Sequence, residues 1–201
     1  FKNYDKIKDL TRFFYHHSCF ILGKEKSKFI ADEGSLKIKE VFQIIKTKEL
    51  VKNFLKQLDN IAKDTNAFLA KLLLKKNNQS NLVLPMKYGV FSGGKRFRSA
   101  IIVNTGKIFN IEYKKLIVVG AAVECIHSYS LIHDDLPAMD DDDLRRGKLA
   151  THKKFNEFTA ILAGNSLLAL AFEILSSKNL DFSFKIKNDL IETLAVYSGF
   201  S

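Results

Sequence analysis

Six carboxylates fall within ten residues, at Asp134, Asp135, Asp140, Asp141, Asp142 and Asp143, and Arg145 and Arg146 follow at once. Bunched carboxylates repel one another and raise one another's pKa. The first two close an apolar helical pattern, so they face the negative end of a helix dipole. A divalent cation relieves both problems, and an all-oxygen donor set favours Mg2+ or Mn2+ over zinc. Mg2+ takes one or two carboxylates, several waters and phosphate oxygens, so a phosphorylated ligand is expected. Neighbouring arginines would fork onto the same phosphates. A Ca2+ loop fits poorly, because the stretch from Asp140 lacks the glycine and distal glutamate of an EF-hand. The bland alternative is an acidic surface loop paired with Arg145 and Arg146. The greasy helix before the cluster argues against it.

A second constellation is Ser92-Gly93-Gly94-Lys95-Arg96-Phe97-Arg98. Two glycines precede three cations at the mouth of a helix, where free N–H groups and the positive helix end favour an anion. Lys95 and Arg98 stand three apart and are expected on one helix face. The Walker pattern is absent, and a Gly-Gly turn with solvated charges is an equal reading of these residues by themselves. His127 lies seven residues before Asp134, two helical turns back on nearly the same side. With Glu124, Ser128 and Leu131 it forms a polar stripe on an otherwise apolar helix. A hydrogen-bonded core histidine and a diphosphate donor are about evenly matched there. His16, His17 and His152 have no comparable context.

Long helices are expected to position these groups. Ten glycines and two prolines in 201 residues are too few turns for a β-sandwich. Leu50, Phe54, Leu58, Ile61, Thr65, Phe68, Leu69 and Leu72 recur at three and four, which predicts one long amphipathic helix. Asn77 to Asn81 breaks it, and Pro85 suits the start of a helix over Met86 to Val90. Further helices are expected over Lys95 to Phe109, Lys114 to His133, Thr159 to Ser176 and Asp189 to Tyr197, with a weaker one over Ser35 to Lys46. No strand is expected. Lys114 to His133 is apolar on nearly every side and should be a buried central helix.

The net charge of +10 sits mainly in front, with 17 Lys/Arg against 9 Asp/Glu in residues 1–80. Scattered lysines of this kind read as a solvated surface. A nucleic-acid footprint would leave the aspartates unexplained, since they repel a phosphate backbone. No segment has 18 uninterrupted apolar residues, so no membrane span is expected. Cys19 and Cys125 form neither a disulfide framework nor a CxxC metal site, which fits a reducing compartment and a cytoplasmic protein. The first methionine is Met86, and the chain stops soon after a helix-like run, so it is expected to be part of a longer reading frame.

Gly93 to Arg98, His127-Ser128-Tyr129-Ser130-Leu131-Ile132-His133 and Asp134 through Gly147 together resemble the trans-isoprenyl diphosphate synthase (polyprenyl synthetase) family. The resemblance is to its bacterial farnesyl diphosphate synthases. The form Asp134-Asp135-Leu136-Pro137-Ala138-Met139-Asp140 is highly specific. The resemblance runs from about Leu50 to Phe200. It implies an N-terminal extension over 1–50 and the N-terminal part of a synthase domain over 51–201. It implies an all-α isoprenoid-synthase helical bundle around a central cavity, commonly a homodimer, with no nucleic-acid partner. It also implies that Asp134, Asp135 and Asp140 hold Mg2+ ions bridging to an allylic diphosphate. Lys95, Arg98, His127 and Arg146 would bind isopentenyl diphosphate, and Arg145 the allylic diphosphate. Tyr129 and Ser130, five and four residues before Asp134, would line the pocket wall and set product length, with Tyr129 favouring a short product.

The expected activity is Mg2+-dependent head-to-tail condensation giving farnesyl diphosphate. The alternatives are a geranylgeranyl diphosphate synthase or a non-catalytic prenyl-diphosphate-binding relative. A terpene cyclase would have no use for Lys95 and Arg98. Three departures stand out. Lys148-Leu149-Ala150 replaces the usual Lys-Pro-Thr. Asn165 in Ala163-Gly164-Asn165 replaces the usual aspartate. No second acidic cluster follows Leu144, so this chain is expected to be inactive by itself.

Overall fold

The computed structural model describes residues 48–76 and 80–199. The weak helix expected over residues 35–46 lies outside them, as does nearly all of the expected extension. The order of elements is α1 (Lys48–Lys75), α2 (Val83–Val90), α3 (Phe97–Ile108), α4 (Tyr113–Asp134), β1 (Leu144–Arg145), β2 (Lys148–Leu149), α5 (Thr151–Lys154), α6 (Glu157–Ser176) and α7 (Phe184–Ser198). This is the expected all-α bundle with one small antiparallel hairpin added. Leu144 pairs with Leu149 and Arg145 with Lys148. Strands of two residues carry no alternation long enough to read, so the expectation of no strand fails here for lack of signal.

The helices follow the chemistry of their ends and faces. In α1 the buried stripe is Ile61, Thr65, Leu69 and Leu73 at four-residue spacing, while Phe54 toward its start is exposed. Pro85 is the third residue of α2 rather than a residue before it, and its missing N–H is harmless in a first turn. Asn156 caps α6, its side-chain oxygen accepting the Thr159 N–H at 2.7 Å. Ser183 does the same for α7 with the Ile186 N–H at 3.3 Å, which starts that helix five residues earlier than expected.

Helix α4 is the hub. It packs on α6, on α3 and on α1, and α2 and α7 lean on α6. Ala121, Ala122 and Cys125 of α4 meet Ala160, Ala163 and Leu167 of α6, all fully buried. Ile61, Ala100, Val103, Leu116 and Ile117 form a second core between α1, α3 and the start of α4. A Cβ on Gly120 would stand 3.1 Å from the Ser99 Cα, so glycine is what lets α3 and α4 cross so closely. By length and composition alone α4 and α6 could each cross a bilayer, which qualifies the expectation of no span. Their apolar surface is instead spent largely on each other, and about half of each such segment is buried inside the bundle.

Candidate active site

The carboxylates are placed by the end of α4. Asp135 extends it by one residue, donating its N–H to the Leu131 carbonyl at 3.2 Å. The chain then turns at Pro137, and the Asp140 N–H closes on the Asp134 carbonyl at 2.8 Å. That turn returns Asp140 to Asp134. Burial first, and then the Asp140 charge, push the Asp134 carboxyl above its usual range, with Arg145 opposing. Crowded, part-desolvated oxygen donors of this kind fit a hard divalent cation. Asp135 is 2% exposed. Its Oδ1 accepts from Arg145 Nε at 2.9 Å and from Arg145 Nη2, and the same Nη2 stands 3.4 Å from Asp142 Oδ2.

The cationic side is built differently from its sequence. Gly93 and Gly94 have φ of +113° and +121°, and Arg96 is left-handed at +49°. The helix therefore begins at Phe97, and Lys95 stands ahead of it, exposed, instead of sharing a helix face with Arg98. Arg96 is 4% exposed. Its Nε donates to Asn66 Oδ1 at 2.8 Å, its Nη2 to the Val90 carbonyl at 2.6 Å, and its Nη1 lies 3.5 Å from Glu124 Oε2. The other Glu124 oxygen accepts the Ser99 N–H at 3.2 Å. Arg96 is thus an internal anchor tying the turn to α1, α2 and α4. The sequence showed three equivalent cations there.

His127, on α4, is half-buried. Its pKa is pulled down to about 3, by burial first and then by Arg98, Arg146, Arg96 and Arg145 in that order. Arg96 and Arg145 have carboxylate partners in Glu124 and Asp135, so the positive charge that His127 senses is in part already balanced. Burial, with Arg146 adding and Glu124 opposing, also lowers the Arg98 pKa.

The β1–β2 hairpin joins the two sides. Arg146 and Gly147, with φ of +55° and +76°, form its two-residue left-handed loop. Arg145 reaches the end of α4, while Arg146 Nη1 donates to the Gly93 carbonyl. A Cβ on Gly94 would lie 2.5 Å from Arg146 Nη1. The glycine turn and the aspartates therefore face one locale. The hairpin forms without the missing turn proline. The Ala150 N–H donates to the Asp143 carbonyl at 2.8 Å, and the Tyr88 hydroxyl donates to the Leu149 carbonyl at 2.7 Å.

Tyr129 is half-buried and meets His133 edge-on, ring centroids 4.6 Å apart. The Ser130 hydroxyl donates to the His127 carbonyl at 3.0 Å, back along the helix. Asn165 lies on an exposed position of α6. Cys125 is buried and free, and burial pushes its thiol up to about 12, so it is chemically quiet. Among the described residues, the acidic and imidazole groups whose ligand atoms converge within 4.8 Å are Asp141, Asp143 and His152, not Asp134, Asp135 and Asp140. His152 drew no attention in the sequence, because its neighbours there are unremarkable and the hairpin's return is what brings it to the aspartates.

The polyprenyl synthetase family model matches residues 79–198. The chain is 46% identical over 149 residues to farnesyl diphosphate synthase of Escherichia coli, covering 73% of this chain and 50% of that protein. It is 54% identical over 99 residues to the farnesyl diphosphate synthase of Buchnera aphidicola from Acyrthosiphon pisum, covering 49% of this chain and 35% of that one. It superposes on an apo FPP/GFPP synthase from Zymomonas mobilis with a TM-score of 0.70 at 42% identity, covering 73% of this chain and 53% of that one. The chain spans about half the length of the curated relatives it matches at greatest extent. With the glycine turn, the central helix and the aspartate loop all inside the matched residues, this chain belongs to the polyprenyl synthetase family.

Proposed function

We propose that the chain serves a prenyltransferase that joins isopentenyl diphosphate head-to-tail to an allylic diphosphate, with farnesyl diphosphate as product. The observation that supports this reading is the hairpin's bridge between the two constellations, with Arg145 on Asp135 and Arg146 on the Gly93 carbonyl. Asp134, Asp135 and Asp140 would hold Mg2+, or Mn2+, which supplies charge neutralisation of the departing diphosphate. Arg145 stands on the same loop and would exchange Asp135 for the allylic diphosphate. Lys95, Arg98, His127 and Arg146 would hold the isopentenyl diphosphate. An entering diphosphate would offset the arginine field on His127 and raise its basicity against burial, the larger cause of its lowering. The allylic C–O bond would break with its electron pair leaving on the diphosphate, the isopentenyl double bond would attack the allylic carbon, and the proton lost from the joined product would pass to that diphosphate. Tyr129, with Ser130 beside it, would form the wall that limits chain length.

The synthase-domain reading of residues 51–201, with 1–50 as an extension, belongs to this proposal. So do a homodimer and a cytoplasmic location, both supported by the family. Calorimetric titration with inorganic pyrophosphate and isopentenyl diphosphate, with and without Mg2+, tests the reading. Binding should depend on Mg2+ for pyrophosphate, and binding of isopentenyl diphosphate should fall in Arg98→Ala and Arg146→Ala; equal isopentenyl diphosphate binding by these variants would reject the assignment. The 201 residues offer no second acidic cluster after Asp143. Prenyl transfer by this chain alone would overturn the view that further carboxylates are required.

A further inference from the structure

We propose that Asp141, Asp143 and His152 form a second metal site, distinct from the Asp134/Asp135/Asp140 set, that takes a first-row transition ion of the Zn2+ or Mn2+ kind. The site needs nothing from the prenyl-transfer reading. His152 is 6% exposed, and neither ring nitrogen has a hydrogen-bond partner. A buried polar group without a partner is costly and rare in native structures. The ligand atom it offers lies within 4.8 Å of one carboxylate oxygen each from Asp141 and Asp143. Both aspartates are exposed, so the oxygens can move while the imidazole is fixed by its burial. Ligands at about 2.1 Å from a shared ion stand about 3.5 Å apart in a tetrahedral site, so a contraction of about 1 Å completes the geometry.

The donor types choose the ion. An imidazole nitrogen with two carboxylates suits a borderline transition ion, whereas Mg2+ prefers oxygen throughout. Lys153 Nζ stands 2.8 Å from Asp143 Oδ1 and is the competing cation, leaving Asp143's other oxygen or a displaced lysine to admit the metal. Asp141 is held at φ +52°, an uncommon conformation for a non-glycine residue. A bound ion would clamp this loop to α5 at the base of the hairpin that carries Arg145 and Arg146.

The test uses the 201-residue chain with His16→Asn and His17→Asn, which leaves His127, His133 and His152 as the imidazoles. After chelator treatment it is titrated with Co2+, followed by visible absorption, and with Zn2+, followed by the imidazole nitrogen resonances. A single equivalent of Zn2+ should shift His152 and leave His127 and His133 in place. Co2+ affinity should fall at least about tenfold in His152→Gln and in Asp141→Asn/Asp143→Asn, and persist in Asp134→Asn/Asp140→Asn. An unmoved His152 resonance, or unchanged Co2+ binding by Asp141→Asn/Asp143→Asn, would overturn the proposal. Should His152→Gln fail to fold, the parent's resonances and the exposed aspartate variants decide it.

Discussion

Glu124→Gln should move stability and anion binding in opposite directions. Glu124 and Arg96 are both nearly inaccessible, 2% and 4% exposed, and their charged atoms approach to 3.5 Å. Removing one member of a buried ion pair strands the other and costs about 3–5 kcal/mol. Gln keeps the volume and an oxygen for the Ser99 N–H, and Arg96 keeps Asn66 and the Val90 carbonyl. The lower end, about 3 kcal/mol, is therefore expected. At about 2–4 °C per kcal/mol for a domain of this size, the midpoint should fall by about 6–12 °C. Glu124 also opposes the arginines around the pocket, as its effect on Arg98 and Arg146 shows. Its neutralisation should tighten pyrophosphate by about 1 kcal/mol, or about fivefold. Thermal unfolding by circular dichroism and calorimetric titration read the two effects. A melting change under about 2 °C, or weaker pyrophosphate binding, would refute the reasoning. Arg96→Met in the Glu124→Gln background should recover part of the lost stability, because the stranded charge is gone.

Gly94→Ala should destabilise by about 1 kcal/mol or more, since φ is +121° there, and should weaken isopentenyl diphosphate binding by displacing Arg146, as denaturant melts and titration would show. Because the folded His127 sits at about 3 against an ordinary 6.5, the unfolded chain binds its proton first. Stability should therefore fall as pH drops through that window, and His127→Gln should flatten the slope of midpoint against pH. In the same range, pyrophosphate binding should take up a proton, measurable from heats in buffers of different ionisation enthalpy. Asp135→Asn should release Arg145 and abolish the Mg2+ dependence of pyrophosphate binding; retention of that dependence would remove Asp135 from the metal set.

Periodicity carried most of the fold. Ile61, Thr65 and Leu69 of the expected stripe are buried as the spacing predicts, while Phe54 is exposed and Leu73, outside that stripe, joins the core. The aspartate loop was legible because its chemistry is concentrated in ten consecutive residues. What spacing by itself could not show was that Arg96 is an internal anchor. Lys95, Arg96 and Arg98 are chemically alike in a row, and a left-handed φ at Arg96 decides that one turns inward to Glu124. The hairpin was silent for a related reason, since its pairing rests on two residues per strand and on the Arg146–Gly147 loop. His152 acquires meaning when that loop folds back over it.

The hairpin also makes neighbours of two jobs. Arg145 and Arg146 are consecutive, yet one grips the end of the central helix and the other the glycine turn. The ribbon between the two contacts is only two paired residues per strand. A pull on either arginine would reach the other through one peptide bond, so displacing Asp135 from Arg145 should loosen the hold of Arg146 on the glycine turn.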